Sequence, residues 1–427
     1  MKVCVIGSGG REHALVWALA RSEKLTKLYA VPGNVGMEEL AERKVIAVKP
    51  PFAEVANWLE DARVDLVVVG PEAPLVERLA DVLEARGIKV FGPTAAGAQI
   101  EGSKSFAKEI MAEAGVATAR HQVCGDFRSA CEALWNFEAP YVIKADGLAA
   151  GKGVSIHRLL AEAEERLVAL FDEKILGAAA ERVVIEEHLE GDEISVLALC
   201  DGRNFVLLEA AQDHKRLRDK DEGPNTGGMG TICPTPAATP ELMKEIGEKF
   251  FRPVLDALRH RGIYYRGVLY AGLVLTKQGP KALEFNCRFG DPETQAMLPR
   301  LESDLLELLM ACAEGNLDPA TELKWRRECC VCVVAASLGY PDAPEIGKTI
   351  RGLEKLRGEN DLFVFHAGIA RDGEKLITSG GRVLGVSALG ENVETARARA
   401  VSALKQISFQ GMHYRKDIGW RALGEKE

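Results

Sequence analysis

The sequence predicts a multidomain protein of mixed α/β and α+β class: an N-terminal open parallel α/β sheet, a central α+β region and a small C-terminal α+β domain. Three observations support this prediction. In the first hundred residues, short β-branched runs alternate with amphipathic helices, as in a parallel sheet. Residues 141–285 contain strands at hairpin-like spacing, which indicates antiparallel sheets. From Cys329 onward, further strands precede one helix.

The N-terminal region begins with the strand Val3–Ile6 and the helix Arg11–Arg21, with a glycine-rich turn between them. Apolar residues at helical spacing predict two more helices at Phe52–Ala62 and Leu75–Arg86. Turn residues follow the strands, and ligands of open α/β sheets bind at that end. The other predicted strands are Leu28–Val31, Leu66–Val69 and Val90–Phe91.

The central region is predicted to contain a helix at Ser103–Ala114 and a long helix at Glu241–His260. Its predicted strands are Tyr141–Lys144, Val154–His157, Val183–Glu187, Ile194–Cys200, Val206–Glu209, Val268–Leu275 and Leu283–Phe285. The C-terminal elements are the strands Cys330–Ala336, Leu362–Ile369 and Arg382–Ala388 and a helix near Val393–Gln406.

The composition excludes several classes of partner. The net charge is −9 with Lys and Arg spread along the chain, so we expect no nucleic-acid partner. No apolar run approaches the ~20 residues of a membrane span, so we expect no membrane partner. The N-terminus enters a buried strand without a signal peptide, and the ten cysteines lie mostly in apolar runs, which predicts a cytoplasmic protein. Cys329 and Cys332 form a C-x-x-C, which we interpret as buried thiols of a strand rather than a redox or metal site.

The most informative stretch is residues 281–294, where Glu284, Asn286 and Arg288 alternate with Phe285 and Cys287. Side chains of a strand have a period of two, so the three polar groups share one face. A carboxylate beside an amide oxygen suits Mg²⁺, and a guanidinium can clamp an anion with two hydrogen bonds. That combination is the equipment of phosphoryl transfer. Taken alone, the same pattern also fits a solvated strand face with a salt bridge.

The glycine-rich turn Gly7–Gly10 between a strand and a helix predicts an anion site, because free amides and the helix dipole face a bound phosphate. A dinucleotide fingerprint would need a third glycine at position 12, which is Glu12. Pro32 to Asn34 stand where the ribose-binding carboxylate would be expected. A monophosphate or another small ligand is therefore favoured, and purely structural glycines are the alternative.

A second glycine loop runs from Lys144 to Val154, between two strands rather than before a helix. It is not a P-loop, because Gly153 follows Lys152 where Ser or Thr is required. A hairpin of small residues with two lysines can fold over a polyphosphate as a flap. The alternative, an ordinary flexible hairpin, does not explain why Lys144 ends a buried strand.

These motifs resemble the ATP-grasp superfamily and, within it, the phosphoribosylamine–glycine ligase family, over essentially the whole chain. The stretches that carry the resemblance are Gly7–Leu15 (GSGGREHAL), Val69–Leu75 (VGPEAPL), Phe91–Thr94 (FGPT), Gln99–Lys108 (QIEGSKSFAK), Val142–Val154 (VIKADGLAAGKGV), Gln212–Arg216 (QDHKR), Gly223–Gly230 (GPNTGGMG), Tyr265–Gly272 (YRGVLYAG), Leu283–Thr294 (LEFNCRFGDPET), Phe365–Gly368 (FHAG) and Gly380–Leu384 (GGRVL). The resemblance implies an N-terminal α/β substrate-binding domain (1–102), a central ATP-grasp fold of two α+β lobes (103–325) with a flap subdomain at about 120–190, and a C-terminal α+β domain (326–427).

The resemblance also implies the residues of an ATP and metal site. Lys104 and Lys144 would hold the ATP phosphates, and the flap Gly147–Gly153 would close over them. Glu284 and Asn286 would carry Mg²⁺ or Mn²⁺, although the preceding strand offers no further carboxylate. The residues implied to bind ATP are Lys104, Lys144, Gly147, Gly151, Lys152, Gly153, Glu186, Glu187, Leu189 and Glu193.

For the other substrates, the resemblance places the phosphate of 5-phosphoribosylamine on the Gly7–Gly10 loop and its ribose on Glu72. Arg288 and Lys144 would be the catalytic residues, and Arg288 would contact the acyl phosphate or the acceptor carboxylate. Asp291 and Glu293 would either orient Arg288 or begin a helix. The implied substrate-binding residues are Gly7, Ser8, Gly9, Gly10, Glu72, Asp213, His214, Lys215, Asn225 and Arg288.

The implied reaction joins glycine to 5-phosphoribosylamine through glycyl phosphate, with ATP as co-substrate, in de novo purine biosynthesis. We expect a monomer with small-molecule substrates only. The alternatives are another carboxylate–amine or carboxylate–bicarbonate ligase of the superfamily, or a nicotinamide-linked oxidoreductase built on the N-terminal sheet. The second alternative leaves the flap and the metal strand without a purpose.

Overall fold

The computed structural model describes residues 1–149 and 151–424 of the 427-residue chain. Ala150, inside the predicted flap Gly147–Gly153, lies outside the described residues, as do the last three residues of the predicted C-terminal domain. No helix of the described part is long and apolar enough to cross a lipid bilayer.

The strands are β1 Lys2–Gly7, β2 Lys27–Pro32, β3 Glu42–Arg43, β4 Leu66–Val69, β5 Lys89–Phe91, β6 His121–Cys124, β7 Tyr141–Ala145, β8 Val154–His157, β9 Val183–Glu186, β10 Asp192–Asp201, β11 Phe205–Leu207, β12 Gln212–Asp213, β13 Arg216–Arg218, β14 Glu222–Asn225, β15 Gly230–Cys233, β16 Arg266–Thr276, β17 Gly279–Asn286, β18 Cys329–Ala336, β19 Leu362–His366, β20 Ile369–Asp372, β21 Lys375–Thr378 and β22 Arg382–Gly390. The α-helices are α1 Gly10–Leu19, α2 Ala53–Ala62, α3 Glu72–Val76, α4 Leu79–Glu84, α5 Ala95–Gly102, α6 Lys104–Glu113, α7 Phe127–Leu134, α8 Leu160–Phe171, α9 Pro240–Ile246, α10 Arg252–His260, α11 Glu293–Met297, α12 Leu305–Glu314 and α13 Val393–Leu404.

The N-terminal sheet is open and parallel, with the order β3-β2-β1-β4-β5, which confirms the prediction. Its strands are buried on both faces, because helices and the central region cover them. The continuous apolar runs of the strands are typical of such burial. The single helix predicted at Leu75–Arg86 is wrong. Arg78 adopts a left-handed backbone with φ of 79°, which a continuous right-handed helix cannot contain, so α3 and α4 are separate.

Two antiparallel sheets form the central region, as predicted. The smaller has the order β6-β9-β7-β8, and α7 and α8 pack their apolar faces on one side of it. The larger has the order β11-β10-β16-β17. The helix predicted at Glu241–His260 is interrupted by a wider π turn at Gly247–Phe251, next to Pro253, which has no N–H for the regular helical ladder.

A third antiparallel sheet has the order β12-β15-β18-β22-β19, so strands from residues 212–233 pair with strands of the C-terminal region. The strand predicted at Leu362–Ile369 ends at His366, and Ile369 begins β20, which pairs with β21 instead. Cys329 and Cys332 lie in β18, as the strand interpretation of the C-x-x-C expects. The domain boundaries 1–102, 103–325 and 326–427 stay predictions.

The C-terminal segment fastens the β13–β14 hairpin through one buried arginine. Arg415 is fully buried, with Nη1 2.6 Å from Asp221 Oδ1 and Nε 2.8 Å from Asp417 Oδ1. Its Nη1 also donates to the carbonyl of Arg216. A buried guanidinium between two carboxylates is stable only while all of its partners remain in place.

We therefore expect Arg415→Gln to lower the free energy of unfolding by about 3 kcal/mol, because Asp221 and Asp417 lose their buried partner. Urea denaturation followed by circular dichroism measures the change. Arg128→Gln is the matched control, since it removes an exposed pair with Glu132 and should change little. Equal stability of the Arg415 variant and the wild type would show that the contacts of Arg415 with Asp221 and Asp417 do not stabilise the fold.

Candidate active site

Seven of the polar residues that the sequence singled out line one cleft of about 190 Å³ between the small central sheet and β17. The segment that links the N-terminal and central regions also contributes to its wall. The charged or polar side chains and glycines of the cleft include Glu72, Glu101, Lys104, Lys108, Lys144, Gly151, Gly153, Glu186, Glu284, Asn286 and Arg288.

Asp146 brings the two predicted phosphate lysines into this cleft. Its carboxylate accepts the N–H of Ser105 at 2.7 Å and the hydroxyl of Ser103 at 3.1 Å. The N–H of Lys104 donates to the carbonyl of Asp146 at 3.0 Å. The otherwise unpaired amides at the start of α6 are thereby satisfied by the chain just after Lys144. Helix α6 and strand β7 therefore present their lysines to the same space.

Glu186 at the end of β9 lies between two lysines. Its Oε2 is 2.9 Å from Lys144 Nζ, and its Oε1 is 3.1 Å from Lys108 Nζ. Burial opposes ionisation of Glu186, but the charges of Lys144 and Lys108 outweigh it and lower its pKa. Lys108 was not among the predicted site residues. Its position one helical turn after Lys104 could have indicated a shared helix face.

Glu284 and Asn286 share one face of β17, as the period-two pattern predicts. Asn286 Nδ2 lies 3.4 Å from Glu284 Oε1. Burial tends to raise the pKa of Glu284, but the charges of Lys215, Lys144 and Lys104 outweigh it and lower the pKa. The carboxylate is thus held ionised, which a divalent cation requires of a ligand.

The neighbouring strand β16 adds no carboxylate beside this pair. Gly272 lies opposite Glu284, and Tyr270 lies opposite Asn286. A carboxylate and an amide oxygen fit Mg²⁺, which proteins often bind through one or two side chains while phosphates and waters complete its shell.

Arg288 follows β17 and lies between two carboxylates. Its Nη2 is 3.0 Å from Glu101 Oε1, and its Nε is 3.4 Å from Glu72 Oε2. Asp291 and Glu293 were expected to orient it, but neither bonds it. Glu293 begins α11, and its Oε1 accepts the hydroxyls of Ser195 and Tyr270 at 2.8 and 3.0 Å.

Asp291 instead pairs with an arginine of the C-terminal region. Its Oδ2 is 3.0 Å from Arg382 Nη2, and Arg382 also donates to the carbonyl of Gly227. Glu293 thus lies in the first turn of α11, as the helix-start alternative expects, but no side chain caps this helix, because Pro292 precedes its first turn.

Lys215 and Glu193 form a pair at 2.7 Å beside the cleft. The charge of Lys215 lowers the pKa of Glu193 despite burial. Burial opposes the charge of Lys215, but Glu193, Tyr270 and Glu284 outweigh it and raise its pKa. The pair links β10 to the segment after β12, and the charge of Lys215 also reaches Glu284.

The ring of His214 leaves no nitrogen for a substrate, contrary to the role expected of it. Its Nε2 accepts the N–H of Gly419 at 2.9 Å, and its Nδ1 lies 3.3 Å from the carbonyl of Gly230. The adjacent Asp213 accepts the N–H of His214 at 2.7 Å. Burial and then the nearby Glu293 raise the pKa of Asp213 well above its ordinary value.

The glycine-rich turn lines a second cavity of about 680 Å³, which Gly7, Ser8 and Gly9 share with Pro71 and Pro74. Gly10 begins α1. Gly7 has φ of +126°, and a Cβ there would lie 2.5 Å from Glu12 Cγ, so glycine is required.

Glu12 folds under the turn. Its Oε2 accepts the N–H of Gly9 at 2.6 Å, and its Oε1 pairs with Arg11. A carboxylate thus stands in the place of the third glycine of a dinucleotide fingerprint, which disfavours a pyrophosphate there. Arg11 and Glu12 are residues that the sequence analysis did not assign to the site.

Two further residues join the turn to the C-terminal region. Asn34 Nδ2 donates to the carbonyls of Ser8 and His366, both at 2.8 Å. His13 Nδ1 accepts the N–H of His366 at 2.8 Å, and burial, with the nearby His366, lowers the pKa of His13 to about 3. Asn34 was noticed only as a turn residue, because its partner is distant in sequence.

The other expected site residues lie outside the two cavities. Glu187 and Leu189 line a separate depression between β9 and the β16–β17 turn. Gly147 donates its N–H to the carbonyl of Ala179 at 2.9 Å. Lys152 and Asn225 are exposed.

The fold and the cleft define an ATP-grasp protein. A small antiparallel sheet with its lysines faces a larger sheet that carries a carboxylate–amide pair and an arginine. Residues 102–294 match the family model of the phosphoribosylglycinamide synthetase ATP-grasp (A) domain. Residues 1–101 match the N domain of the same synthetase, and residues 330–421 match its C domain. The chain belongs to the phosphoribosylglycinamide synthetase family, whose curated relatives are named phosphoribosylamine–glycine ligase.

The relatives match over their full length. The chain is 48% identical to phosphoribosylamine–glycine ligase of Synechocystis, covering 99% of this chain and 100% of the relative. It is 47% identical to the Caldanaerobacter subterraneus ligase, over 98% and 99% of the two chains. The crystal structure of the Thermotoga maritima ligase superposes with a TM-score of 0.84 at 36% identity, covering 98% of this chain and 100% of the other.

A biotin carboxylase domain of Hydrogenobacter thermophilus 2-oxoglutarate carboxylase, solved with MgADP and bicarbonate, shares the fold alone. Its TM-score is 0.75 at 20% identity, over 97% of this chain and 91% of that chain.

The buried His214 predicts acid sensitivity of the fold. Burial and the charge of Arg415 lower its pKa to about 4, from an ordinary value of 6.5. Between these pH values the unfolded chain binds the proton more readily, so stability falls as the pH drops below 6.5. This one group should cost on the order of 2 kcal/mol between pH 7 and pH 5.

His214→Gln keeps a donor and an acceptor but does not titrate, so we expect a smaller loss of stability between the same two pH values. Urea denaturation of both proteins at pH 7 and pH 5 measures the difference, because every other titrating group is common to them. Parallel pH profiles for the two proteins would contradict the buried neutral state of this ring.

Proposed function

We propose that this chain joins glycine to 5-phosphoribosylamine, forming glycinamide ribonucleotide, ADP and phosphate in de novo purine biosynthesis. The observation that carries the proposal is one cleft in which two lysines, a carboxylate–amide pair and an arginine converge, in a chain related to phosphoribosylamine–glycine ligases over its whole length. A carboxylate is a poor electrophile toward an amine, and phosphorylation activates it.

ATP is assigned to this cleft. Lys104 and Lys144 neutralise the phosphates, and the loop from Gly147 to Gly153 covers them. Adenine and ribose are held by Glu186, by the chain from Glu187 to Leu189 and by Glu193. When ATP binds, Lys144 exchanges its contact with Glu186 for a contact with a phosphate. The support is that Lys104, Lys144, Gly151, Gly153 and Glu186 all line the cleft.

Glu284 and Asn286 would hold Mg²⁺ or Mn²⁺, since their oxygens suit a hard cation and Glu284 is kept ionised. The bound ion supplies charge neutralisation on the transferring phosphoryl group. Among the residues of the chain, Lys104 and Lys144 orient the nucleotide, and Arg288 faces the carboxylate that becomes the acyl phosphate.

The reaction then proceeds in two steps. An oxygen of the glycine carboxylate attacks the γ-phosphorus of ATP, and ADP leaves, which gives glycyl phosphate. The amine of 5-phosphoribosylamine next attacks the carbonyl carbon, the C–O bond to phosphate breaks, and phosphate leaves as the nitrogen gives up a proton. The loop from Gly147 to Gly153 excludes water, which would otherwise hydrolyse glycyl phosphate.

5-Phosphoribosylamine is assigned to the second cavity, with its phosphate on the amides of Ser8 and Gly10, since Glu12 already takes that of Gly9. Glu72 begins α3 between the two cavities and contacts Arg288, so it can reach the ribose while the amine points to the acyl phosphate. We assign Lys215 to the substrates because its charge acts on Glu284 in the first cleft, and we assign Asp213 and Asn225 together with it.

Two broader properties complete the proposal. All ten cysteines are free thiols and eight are buried, which supports a reducing, cytoplasmic compartment. We propose a monomer that acts on small molecules alone, which sedimentation analysis of the full chain tests directly.

The substrate assignment predicts that ADP release requires glycine and 5-phosphoribosylamine together with ATP. Turnover should fall strongly with alanine, because its extra methyl group has to fit a site built for glycine, and bicarbonate should not replace glycine. A coupled assay for ADP, with each substrate left out in turn, measures this. Equal turnover with bicarbonate and no response to glycine would contradict the assigned substrates. Only the assignment to the ATP-grasp superfamily would then remain.

The metal assignment predicts that Glu284→Gln and Asn286→Ala each lower turnover by on the order of 10²–10⁴. Removing a ligand of the divalent ion loses charge neutralisation in the transition state. Turnover is measured across a titration of Mg²⁺ and of Mn²⁺, with the exposed Glu248→Gln as the control. Normal turnover of both variants at every metal concentration would show that the ligands lie elsewhere.

A further inference from the structure

We propose that Glu101 is a positioning residue that fixes Arg288 against the reacting carboxylate. This inference rests on the proposed function, because it assigns a role within the same reaction. Glu101 lies at the end of α5, a segment that the sequence analysis did not connect to the arginine.

Glu101 makes two contacts with one segment. Its Oε1 is 3.0 Å from Arg288 Nη2, and its Oε2 accepts the N–H of Cys287 at 2.8 Å. One carboxylate therefore fixes both the guanidinium and the backbone just before it. Because Asn286 precedes Cys287, the same contact also limits the movement of the predicted metal ligand.

Glu101 and Glu72, the two carboxylates that contact Arg288, differ in burial. The side chain of Glu101 is 8% exposed, whereas that of Glu72 is 30% exposed and lies 3.4 Å from Arg288 Nε. The guanidinium is also close to the carbonyl of Phe289, 3.3 Å from Nη1. Glu101 is thus the tight, buried partner, and Glu72 remains free to exchange Arg288 for a substrate hydroxyl.

The contact between Glu101 and Arg288 is also charge-assisted. Two carboxylates face the guanidinium of Arg288, with Glu101 Oε1 3.0 Å from Nη2 and Glu72 Oε2 3.4 Å from Nε. A charge-assisted hydrogen bond to a buried carboxylate is shorter and stronger than a neutral one, so it restricts the arginine to one orientation. An arginine held in advance stabilises a developing oxyanion without having to reorganise.

The position of Glu101 also connects two parts of the site. Ser103, two residues later, caps α6, and Lys104 begins that helix. The α5–α6 junction therefore carries both the partner of Arg288 and one predicted phosphate lysine. A change in this junction would displace the arginine and the lysine together.

The test is a double-mutant cycle on turnover in the full chain. Glu101→Gln keeps an oxygen that can accept the N–H of Cys287, but it removes the negative charge that faces Arg288. We therefore expect kcat to fall about 10- to 100-fold with KM for ATP nearly unchanged. In an Arg288→Lys background the same substitution should cost less than about threefold, because the group that Glu101 positions is already gone.

Glu101→Asp, which keeps the charge on a shorter side chain, should recover part of the lost turnover. Glu113→Gln is the matched control, since it removes an exposed carboxylate that pairs with Arg261 on the neighbouring helix. Calorimetric titration with Mg-ATP checks that each variant keeps the nucleotide site.

An unchanged kcat of Glu101→Gln, or an equal loss in both backgrounds, would overturn the inference. A fall in ATP affinity that matches the fall in kcat would also overturn it, because that result indicates general disruption of the cleft. A wild-type chain that makes no ADP from glycine and 5-phosphoribosylamine would instead overturn the proposed function, so the two failures are distinguishable.

Discussion

The mutual neutralisation of buried charges is the constraint on which the cleft depends. Lysines from α6, β7 and the segment after β12 face carboxylates from β9, β10 and β17, and few of these groups are fully exposed to water. An unpaired charge in such a place would be costly, so each lysine needs a carboxylate within reach. Lys108, Lys144 and Lys215 are therefore held in ion pairs with Glu186 and Glu193.

That constraint also explains how distant parts of the chain are held together. Asp146 closes the start of α6, so the two lysines cannot separate without exposing unpaired amides. On the opposite side, Arg382 bonds both Asp291 and Gly227. The C-terminal region is thus joined to the segments around Gly227 and Asp291, and the sheet that contains β12, β15 and β18 provides a second attachment.

Local patterns predicted part of the geometry of the cleft. The alternation in residues 284–288 placed Glu284 and Asn286 on one face, and the structure agrees because a strand has only that geometry. The partners of His214 could not be predicted, since an isolated motif cannot show that the N–H of Gly419 will donate to its ring nitrogen. The break at Arg78 could not be read either, because a left-handed residue leaves no mark on apolar spacing.

The sequence by itself determined the parallel N-terminal sheet, the antiparallel central sheets, the two glycine loops and the polar face of β17, because each depends on residues close together in the chain. The resemblance to a family added the residues around them. Only the tertiary structure decided which charges meet: Cys287 and Glu101 are 186 residues apart, and the Lys108–Glu186 and Arg415–Asp221 pairs also join separate elements. No local periodicity encodes such pairs, since they form where packing brings opposite charges together and excludes the water that would otherwise screen them.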